Sequence, residues 1–487
     1  MSYLLALDQG TSSTRAMLYT TEGELVANSQ RQLTQSYPQP GWVEHDPEEL
    51  WQSTLFVLKE VVAQVPSSNI LACGITNQRE TTVIWNKKTG ECIAPAIVWQ
   101  DRRTDKYCRS LAEYTSMIQE KTGLILDAYF SASKLNWLLQ NNSTAKELSL
   151  RGELAFGTID SFLIWRFTKG NHVTDITNAS RTMLFNINQE CWDEELLRLF
   201  AVPESVLPKV LDSDGQFGMI NKDYLGIEIP ITGVAGDQQA ALIGQGCMRH
   251  GMAKATFGTG GFLLLNTGDK PVISQHKLLT TVAYKIKERT VYGLEGSIYH
   301  AGTTVKWLRD EMKLISAAAE TEDLAQSLAS NDGVYLISSF TGLGAPHWLS
   351  TSGASISGIS RSTTRAHFAR AALEGVCYQT REILKCMQDD NGLELGLLRV
   401  DGGMAANNWF LQFLTDQCRV TVEKPKDIET TAKGAAVLAG IGFGVYNSFS
   451  SLDSVWQLDK EFTPTRPIHE VENDYRGWVL ALDKIKV

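Results

Sequence analysis

The sequence predicts an α/β protein of two domains, and three observations carry that prediction. The chain has 487 residues, more than one hydrophobic core usually supports, so two domains of about 200 to 250 residues are expected. Short apolar runs that suit strands alternate with helical stretches in both halves. A hairpin pattern, in which glycine and hydroxyl residues join two apolar runs, occurs at Leu4–Tyr19 and again at Met252–Asn266. From this restart we place the domains at residues 1–246 and 247–487.

The first half continues from its hairpin as alternating strands and helices. Asp46, Pro47 and Glu48 are the N-cap, first-turn proline and early acid of a helix that runs to about Val65. The other predicted segments are extended chain at Glu24–Gln32, strands at Leu71–Thr76 and Thr82–Trp85, mainly helix from Asp101 to about Asn142, a strand at the start of Leu154–Trp165, and a strand at Ile229–Ala235. This order predicts a central mixed sheet.

The second half repeats this plan after its own hairpin. We predict a strand at Val291–Leu294, helices at about Thr303–Met312 and Arg365–Met387, and a strand, glycine turn and helix over Leu397–Leu414.

Composition argues against two classes of partner. The formal net charge is −10, from 45 basic and 55 acidic residues, and no basic block stands out, so we expect no nucleic-acid partner. The apolar stretches are too short and interrupted to span a bilayer, and the N-terminus lacks the layout of a signal peptide. We therefore expect a cytoplasmic protein without membrane insertion.

The two glycine–threonine hairpins predict a nucleotide held between the two halves. Such a turn directs backbone N–H groups and hydroxyls toward one point, which suits phosphate oxygens, although a single copy is more often an ordinary turn. Asp8 ends the first strand of the first hairpin. A carboxylate repels phosphate unless a divalent cation lies between them, so we expect Mg²⁺ at Asp8. The turn at Asp401–Asn407, with two glycines before a helix, also suits a nucleotide.

Asp237 is the predicted catalytic residue. It follows the strand Ile229–Ala235 and begins a helix, at the edge where ligands bind in open α/β sheets. A carboxylate there can accept the proton of a hydroxyl whose oxygen attacks a γ-phosphate, and it can join Asp8 at the metal. A plain helix N-cap is the alternative that the sequence leaves open.

Arg79 and Glu80 predict a polyol substrate. They are an adjacent donor and acceptor in the polar loop between two strands, and each hydroxyl of a polyol both donates and accepts hydrogen bonds. Tyr129, Trp99 and Phe262 would supply an apolar wall against carbon. The alternatives are a solvated ion pair and ordinary core aromatics.

Assembled in order, these segments resemble the FGGY family of carbohydrate kinases over nearly the whole chain. The resemblance rests on ALDQGTSSTRA, ITNQRETTVIW, AGDQQAAL, FGTGGF and RVDGGMAANN, and on two segments similar to the family signatures, at Tyr129–Asn141 and Ala354–Glu374. It implies the fold of sugar kinases, actin and heat-shock ATPases, with two domains of related ribonuclease H-like topology around a catalytic cleft. It also implies ATP as the phosphate donor.

Within the family, the segment NQRET at Asn77–Thr81 points to glycerol, since pentulose kinases typically carry a Gln-Met-His-Gly type segment there. The resemblance thus implies in-line transfer from ATP to glycerol, giving sn-glycerol 3-phosphate, with Asp237 as general base. It implies a homodimer or homotetramer. The resemblance implies that glycerol contacts Arg79, Glu80, Tyr129, Asp237 and Gln238, with Trp99 and Phe262 against its carbon atoms. It implies that the first phosphate loop is lined by Thr11, Ser12, Ser13 and Arg15. It implies that ATP contacts Thr259, Gly302, Gly403 and Asn407, and Lys306 stands where relatives usually carry Gln near the nucleotide.

The chain departs from the family pattern in several places. Gly261 stands where Cys is common, and Leu349–Gly353 lacks an Asp and an Arg that relatives tend to have. Enterobacterial relatives bind fructose 1,6-bisphosphate through paired glycines and an arginine, which are missing from Asn221–Glu228, so we predict weak or no inhibition by that sugar phosphate. Two other functions stay open: a family kinase acting on another polyol or sugar, and an actin-like binding protein without transfer activity.

Overall fold

The computed structural model describes residues 1–349, 353–447 and 455–486. The predicted departure at Leu349–Gly353 therefore falls partly on residues 350–352, which lie outside the described residues. The strands, in chain order, are β1 Tyr3–Gln9, β2 Ser13–Thr20, β3 Leu25–Gln32, β4 Glu44–His45, β5 Ile70–Asn77, β6 Val83–Asn86, β7 Ala96–Ile97, β8 Leu154–Gly157, β9 Val173–Asp175, β10 Phe185–Asn186, β11 Cys191–Trp192, β12 Lys209–Leu211, β13 Gly218–Ile220, β14 Ile229–Gly236, β15 Ala253–Phe257, β16 Gly261–Gly268, β17 Leu279–Ile286, β18 Arg289–Ile298, β19 Tyr335–Ile337, β20 Ser355–Ser357, β21 Leu397–Asp401, β22 Thr421–Pro425 and β23 Leu458–Phe462.

The helices alternate with these strands in both halves. In chain order they are α1 Pro47–Val62, α2 Asp105–Ser110, α3 Thr115–Thr122, α4 Ser131–Asn141, α5 Ser143–Leu150, α6 Ile159–Thr168, α7 Ile176–Ala179, α8 Glu194–Leu199, α9 Lys222–Leu225, α10 Asp237–Gly244, α11 Gly302–Asp310, α12 Glu320–Gln326, α13 Arg365–Asn391, α14 Asn408–Cys418, α15 Thr430–Phe443 and α16 Ile468–Asp483.

The two large sheets follow the same plan, which confirms the predicted α/β architecture. The first has the order β13-β14-β5-β1-β2-β3, and the second has the order β17-β18-β16-β15-β21-β22-β23. In each, a predicted hairpin (β1–β2 or β15–β16) pairs antiparallel, while its first strand runs parallel to a later strand, β5 or β21. The carboxyl ends of these parallel strands therefore meet at one edge of each sheet, which is where sites form in such folds.

Local sequence accounts for most of these elements. Asp46 caps α1, since its side chain accepts the Glu48 backbone N–H at 2.9 Å and Pro47 occupies the first turn. The stretch predicted as mainly helical from residue 101 to 142 is instead broken between α3 and α4. Gly123 ends α3 with φ of 73°, a left-handed conformation that glycine adopts without strain. The loop that follows carries Tyr129.

Helix α15 joins the two halves. It lies late in the chain, yet it packs against β1, β5, β14 and α10 of the first half. Its contact is close because glycines line it: a Cβ on Gly74 would collide with the Ala435 carbonyl, and a Cβ on Gly434 would collide with the Ala240 carbonyl. The predicted division after residue 246 stays a prediction. In the described part of the chain, no helix is both long and apolar enough to cross a membrane.

Candidate active site

The predicted site residues of the first half meet at the carboxyl edge of its sheet. Strands β1 and β14 both run parallel to β5, so their last residues share an edge. Asp8 lies at the end of β1, Arg79 and Glu80 follow β5, and Asp237 follows β14. The topology thus explains why residues more than 200 positions apart in the chain meet at one edge of the sheet.

Asp237 is the first residue of α10. The N-cap is Gly236, so the alternative of a plain N-cap at Asp237 is wrong. Its Oδ1 accepts the backbone N–H of Gln238 at 2.8 Å and lies 3.2 Å from Arg79 Nε. Burial raises the pKa of the Asp237 carboxyl, Arg79 opposes this, and the charge of Glu80 adds to it. A carboxylate with a raised pKa is a better proton acceptor for a hydroxyl.

Arg79 and Glu80 belong to a buried ionic network, so the alternative of a solvated surface pair is wrong. Both side chains are 2% exposed. Arg79 donates to both carboxylate oxygens of Glu295, at 3.1 Å from Nη2 to Oε1 and at a shorter distance from Nη1 to Oε2. Arg181 donates to Glu80 Oε1 at 2.8 Å and to Glu295 Oε1 at 3.0 Å. Although burial alone would raise the pKa of Glu295, the two arginines hold it below its ordinary value.

The three predicted aromatic residues lie together, and Trp99 links them to the first hairpin. Its ring centroid is 5.4 Å from that of Tyr129 and 6.4 Å from that of Phe262, both edge-on. Its indole Nε1 donates to Thr11 Oγ1 at 2.9 Å. Lys134 fixes the loop of Tyr129, because its fully buried Nζ donates to the carbonyls of residues 128, 129 and 130 at 2.6, 2.6 and 3.1 Å.

Asp8 has surroundings that suit a cation. Burial raises its pKa to about 7; Arg15 opposes this, and the charges of Asp237 and Glu429 contribute to it. Within the described residues, no group of three or more His, Cys, Asp or Glu side chains forms a metal site. Mg²⁺ commonly takes only one or two carboxylates and completes its shell with waters and substrate phosphates. Asp8 and Asp237 therefore fit this ion.

The other residues of the first phosphate loop differ in accessibility. Ser12 is exposed and its carbonyl accepts the Leu33 N–H at 2.9 Å. Ser13 is buried and its hydroxyl accepts a hydrogen bond from Gln30 Nε2 at 2.9 Å, so it points toward β3. Arg15 pairs with Glu429 at 2.5 Å, just before α15. The pair joins the first hairpin to the second half of the chain.

Of the predicted nucleotide residues, Thr259 lies in the turn of the second hairpin and Gly302 contacts that turn. The Thr259 carbonyl accepts from the backbone and hydroxyl of Thr303, at 3.1 and 2.9 Å, and Gly302 N–H donates to the Gly258 carbonyl at 3.0 Å. Lys306 is exposed one turn along α11. These contacts place the start of α11 beside the hairpin.

The glycine turn packs against the same hairpin. Gly402 has φ of 85°, and a Cβ there would lie 2.6 Å from the Phe257 carbonyl oxygen. Gly403 has open space around it. Asn407 is the N-cap of α14, its side chain accepting the Phe410 N–H at 2.8 Å. The side-chain oxygen of Asn407 is therefore already hydrogen-bonded to the helix backbone.

Comparison with known proteins agrees with this geometry. Residues 3–244 match the N-terminal domain and residues 253–443 the C-terminal domain of the FGGY family of carbohydrate kinases. The chain belongs to the FGGY family. Among its relatives are "Glycerol kinase" of Coxiella burnetii (strain RSA 331 / Henzerling II), 51% identical over 99% of this chain and 97% of that protein, and "Glycerol kinase" of Alteromonas mediterranea, 50% identical over 99% of each.

Two solved kinase structures have the same fold. The crystal structure of Plasmodium falciparum glycerol kinase with ADP superposes with a TM-score of 0.93 at 38% identity, covering 100% of this chain and 99% of that one. Xylulose kinase from Lactobacillus acidophilus superposes with a TM-score of 0.87 at 21% identity, covering 99% and 97%. The second match concerns the fold alone.

Three buried charged residues at this site were not predicted from the sequence. Arg181 and Glu295 hold the network of Arg79 and Glu80, and the buried Lys254 donates to the side-chain amide oxygen of Gln238. Burial lowers the pKa of Lys254 to about 8, against the opposing charges of Asp401, Glu295 and Asp237. The available signal was a charged residue among mostly uncharged neighbours in a strand, since Glu295 lies in β18 and Lys254 in β15. A buried charge requires a partner.

Proposed function

We propose that this chain transfers the γ-phosphoryl group of ATP to glycerol and releases sn-glycerol 3-phosphate and ADP. The observation that carries the proposal is the buried Arg79–Glu80 pair beside Asp237, walled by Trp99, Tyr129 and Phe262. Donors and acceptors there suit hydroxyls, and the rings suit the carbon chain. The relatives at 50–51% identity over nearly the whole chain bear the name glycerol kinase.

Asp237 is the proposed general base of an in-line transfer. Its carboxylate takes the proton of the attacking hydroxyl while the oxygen–phosphorus bond forms and the bond from the γ-phosphorus to the ADP oxygen breaks. Arg79, held by Glu295, fixes the position of Asp237. A bound Mg²⁺, for which Asp8 and Asp237 are the proposed ligands, would offset phosphate charge.

The remaining predicted contacts belong to the same proposal. Gln238 joins the glycerol site. The nucleotide is proposed to lie against both hairpins, and contacts of Gly302 and Gly402 with residues 257–259 of the second hairpin support this. Closure of the two halves would exclude water, which otherwise competes for ATP. The nucleotide contacts are Thr11, Ser12, Ser13 and Arg15 of the first hairpin, and Thr259, Gly302, Lys306, Gly403 and Asn407.

The direct test measures ADP release from ATP and Mg²⁺ with glycerol, erythritol, xylulose or dihydroxyacetone. We expect glycerol to be preferred, and weak or no inhibition by fructose 1,6-bisphosphate. A preference for another substrate would favour the rival family activity, and the absence of any stimulated ADP release would favour a binding protein. A cytoplasmic location and a dimer or tetramer stay predictions, and sedimentation would measure the oligomeric state.

Asp237→Asn tests the base. It keeps the shape of the side chain but removes the proton acceptor, so turnover should fall by at least 100-fold while ATP binding and thermal stability stay near those of the wild type. Asp389→Asn, at an exposed carboxylate paired with Lys385, is the control and should be fully active. Near-normal turnover in Asp237→Asn would show that the base is wrongly assigned.

A further inference from the structure

Lys254 contacts three acceptors beside the proposed glycerol site. The side chain is fully buried on β15. Its Nζ donates to the side-chain amide oxygen of Gln238, to Thr256 Oγ1 at 2.9 Å and to the Phe262 carbonyl at 3.4 Å. Gln238 and Phe262 are both proposed glycerol contacts. The lysine therefore lies behind the substrate site and touches two parts of it.

This contact determines which end of the Gln238 amide faces the substrate. The two ends of an amide are assigned from their hydrogen-bond partners. A lysine ammonium donates hydrogen bonds and accepts none, so the atom facing Lys254 is the amide oxygen. The NH₂ group of Gln238 then points to the other side. Within the described ranges, no protein acceptor meets that NH₂ group, and Gln238 keeps 6% of its surface exposed.

Gln238 and Asp237 present complementary groups from one turn of α10. The carboxylate of Asp237 accepts hydrogen bonds, whereas the amide of Gln238, whose oxygen is turned toward Lys254, presents its NH₂ donors to a ligand. Once a bound substrate excludes water from the site, that NH₂ group needs an acceptor, because a buried donor left without one is unfavourable. A hydroxyl oxygen supplies that acceptor.

We propose that Lys254 is a positioning residue that makes Gln238 an obligate hydrogen-bond donor to an oxygen of the polyol. The inference rests on the proposed function, and it adds a determinant of substrate recognition that acts from behind the site. Lys254 touches no substrate atom itself; its effect passes through the amide that it orients.

A double-mutant cycle at pH 7 tests this chain of contacts. Kinetic constants for glycerol and ATP are measured for the wild type, Lys254→Met, Gln238→Ala and the double variant. Each single variant should raise the glycerol KM about 10-fold, and the double variant should stay within about 2-fold of Gln238→Ala, because residues that act through one contact are not additive. The ATP KM should change less than about 2-fold. Lys88→Met, at an exposed lysine, is the control.

Gln238→Glu keeps the proposal testable if Lys254→Met fails to fold. It has nearly the same shape, leaves Lys254 an acceptor and replaces the NH₂ donor with a charged carboxylate oxygen that only accepts. The melting temperature should therefore hold, because Lys254 lies beside the new charge, while the glycerol KM rises about 10-fold. A glycerol KM within 2-fold of the wild type in Gln238→Glu, or multiplying effects of about 100-fold in the double variant, would overturn the proposal. Absence of glycerol-dependent ADP release by the wild type would instead refute the proposed function, and this inference with it.

Discussion

Replacing Glu295 by Gln tests whether the buried ionic network holds the active site. Glu295 is fully buried and accepts three hydrogen bonds, two from Arg79 and one from Arg181. Gln keeps one oxygen but turns the other into a donor that faces a guanidinium N–H. Loss of a charge-assisted bond costs about 1.5–3 kcal/mol, and breaking a buried ion pair costs about 3–5 kcal/mol. We expect the free energy of unfolding to fall by about 3 kcal/mol.

The same change should weaken glycerol binding, because Arg79 loses the partner that fixes it beside Asp237. Urea unfolding followed by tryptophan fluorescence measures the stability, and coupled ADP release measures a glycerol KM that we expect to rise at least 10-fold. The matched control is Glu147→Gln, which removes a carboxylate from an exposed pair with Arg151 and should cost less than about 1 kcal/mol. If Glu295→Gln loses no more stability than this control and keeps its glycerol KM, the network does not hold the site.

Three further perturbations test the fold around the site. Gly434→Ala should cost about 1–3 kcal/mol by urea unfolding, because its Cβ would meet the Ala240 carbonyl, whereas Gly396→Ala, which has open space, should change stability by less than about 0.5 kcal/mol; equal effects would contradict the tight contact. Burial lowers the pKa of His172 to about 4, so on acidification the unfolded chain takes up that proton before the folded chain does. The free energy of unfolding should therefore fall between about pH 6.5 and 4, by up to about 3 kcal/mol. His172→Gln should reduce the difference in the free energy of unfolding between about pH 7 and 4.5. An unchanged acid loss would exclude His172 as a source. Lys134→Met removes the donor to three buried carbonyls, so the free energy of unfolding should fall by about 3 kcal/mol. The glycerol KM should rise while the ATP KM stays unchanged. A glycerol KM that stays constant would show that Lys134 does not position Tyr129.

The elements that local chemistry determines were predictable from the sequence. The cap of α1 at Asp46, the two hairpins and the strand before Asp237 all rest on patterns within about ten residues, and the structure confirms them. The break between α3 and α4 was missed because one left-handed glycine, Gly123, ends a helix in an otherwise helical composition.

The charged network could not be predicted, because its partners are distant in the chain. Arg79 and Glu295 are 216 positions apart, and Arg181 and Glu80 are 101 apart. Glu295 and Lys254 each lie in a strand of mostly uncharged residues, which indicates that a partner is needed but not which one. The alternative that Arg79 and Glu80 form a solvated ion pair is wrong for the same reason. The burial of Arg79 depends on Glu295 of β18, which comes from the other half of the chain.

Because α15 packs against the first sheet, part of that sheet stays uncovered while the chain is being synthesised. The first sheet is complete once β14 has been made, but α15, which covers Leu4, Ala6 and Ala72 on its apolar face, follows about 200 residues later. At a synthesis rate of roughly 5–20 residues per second, that face stays exposed for on the order of 10–40 s before α15 is made. Through that interval the nascent first half exposes a sheet surface that attracts other apolar chains, so slowing or pausing synthesis before residue 430 should increase aggregation more than a pause after it.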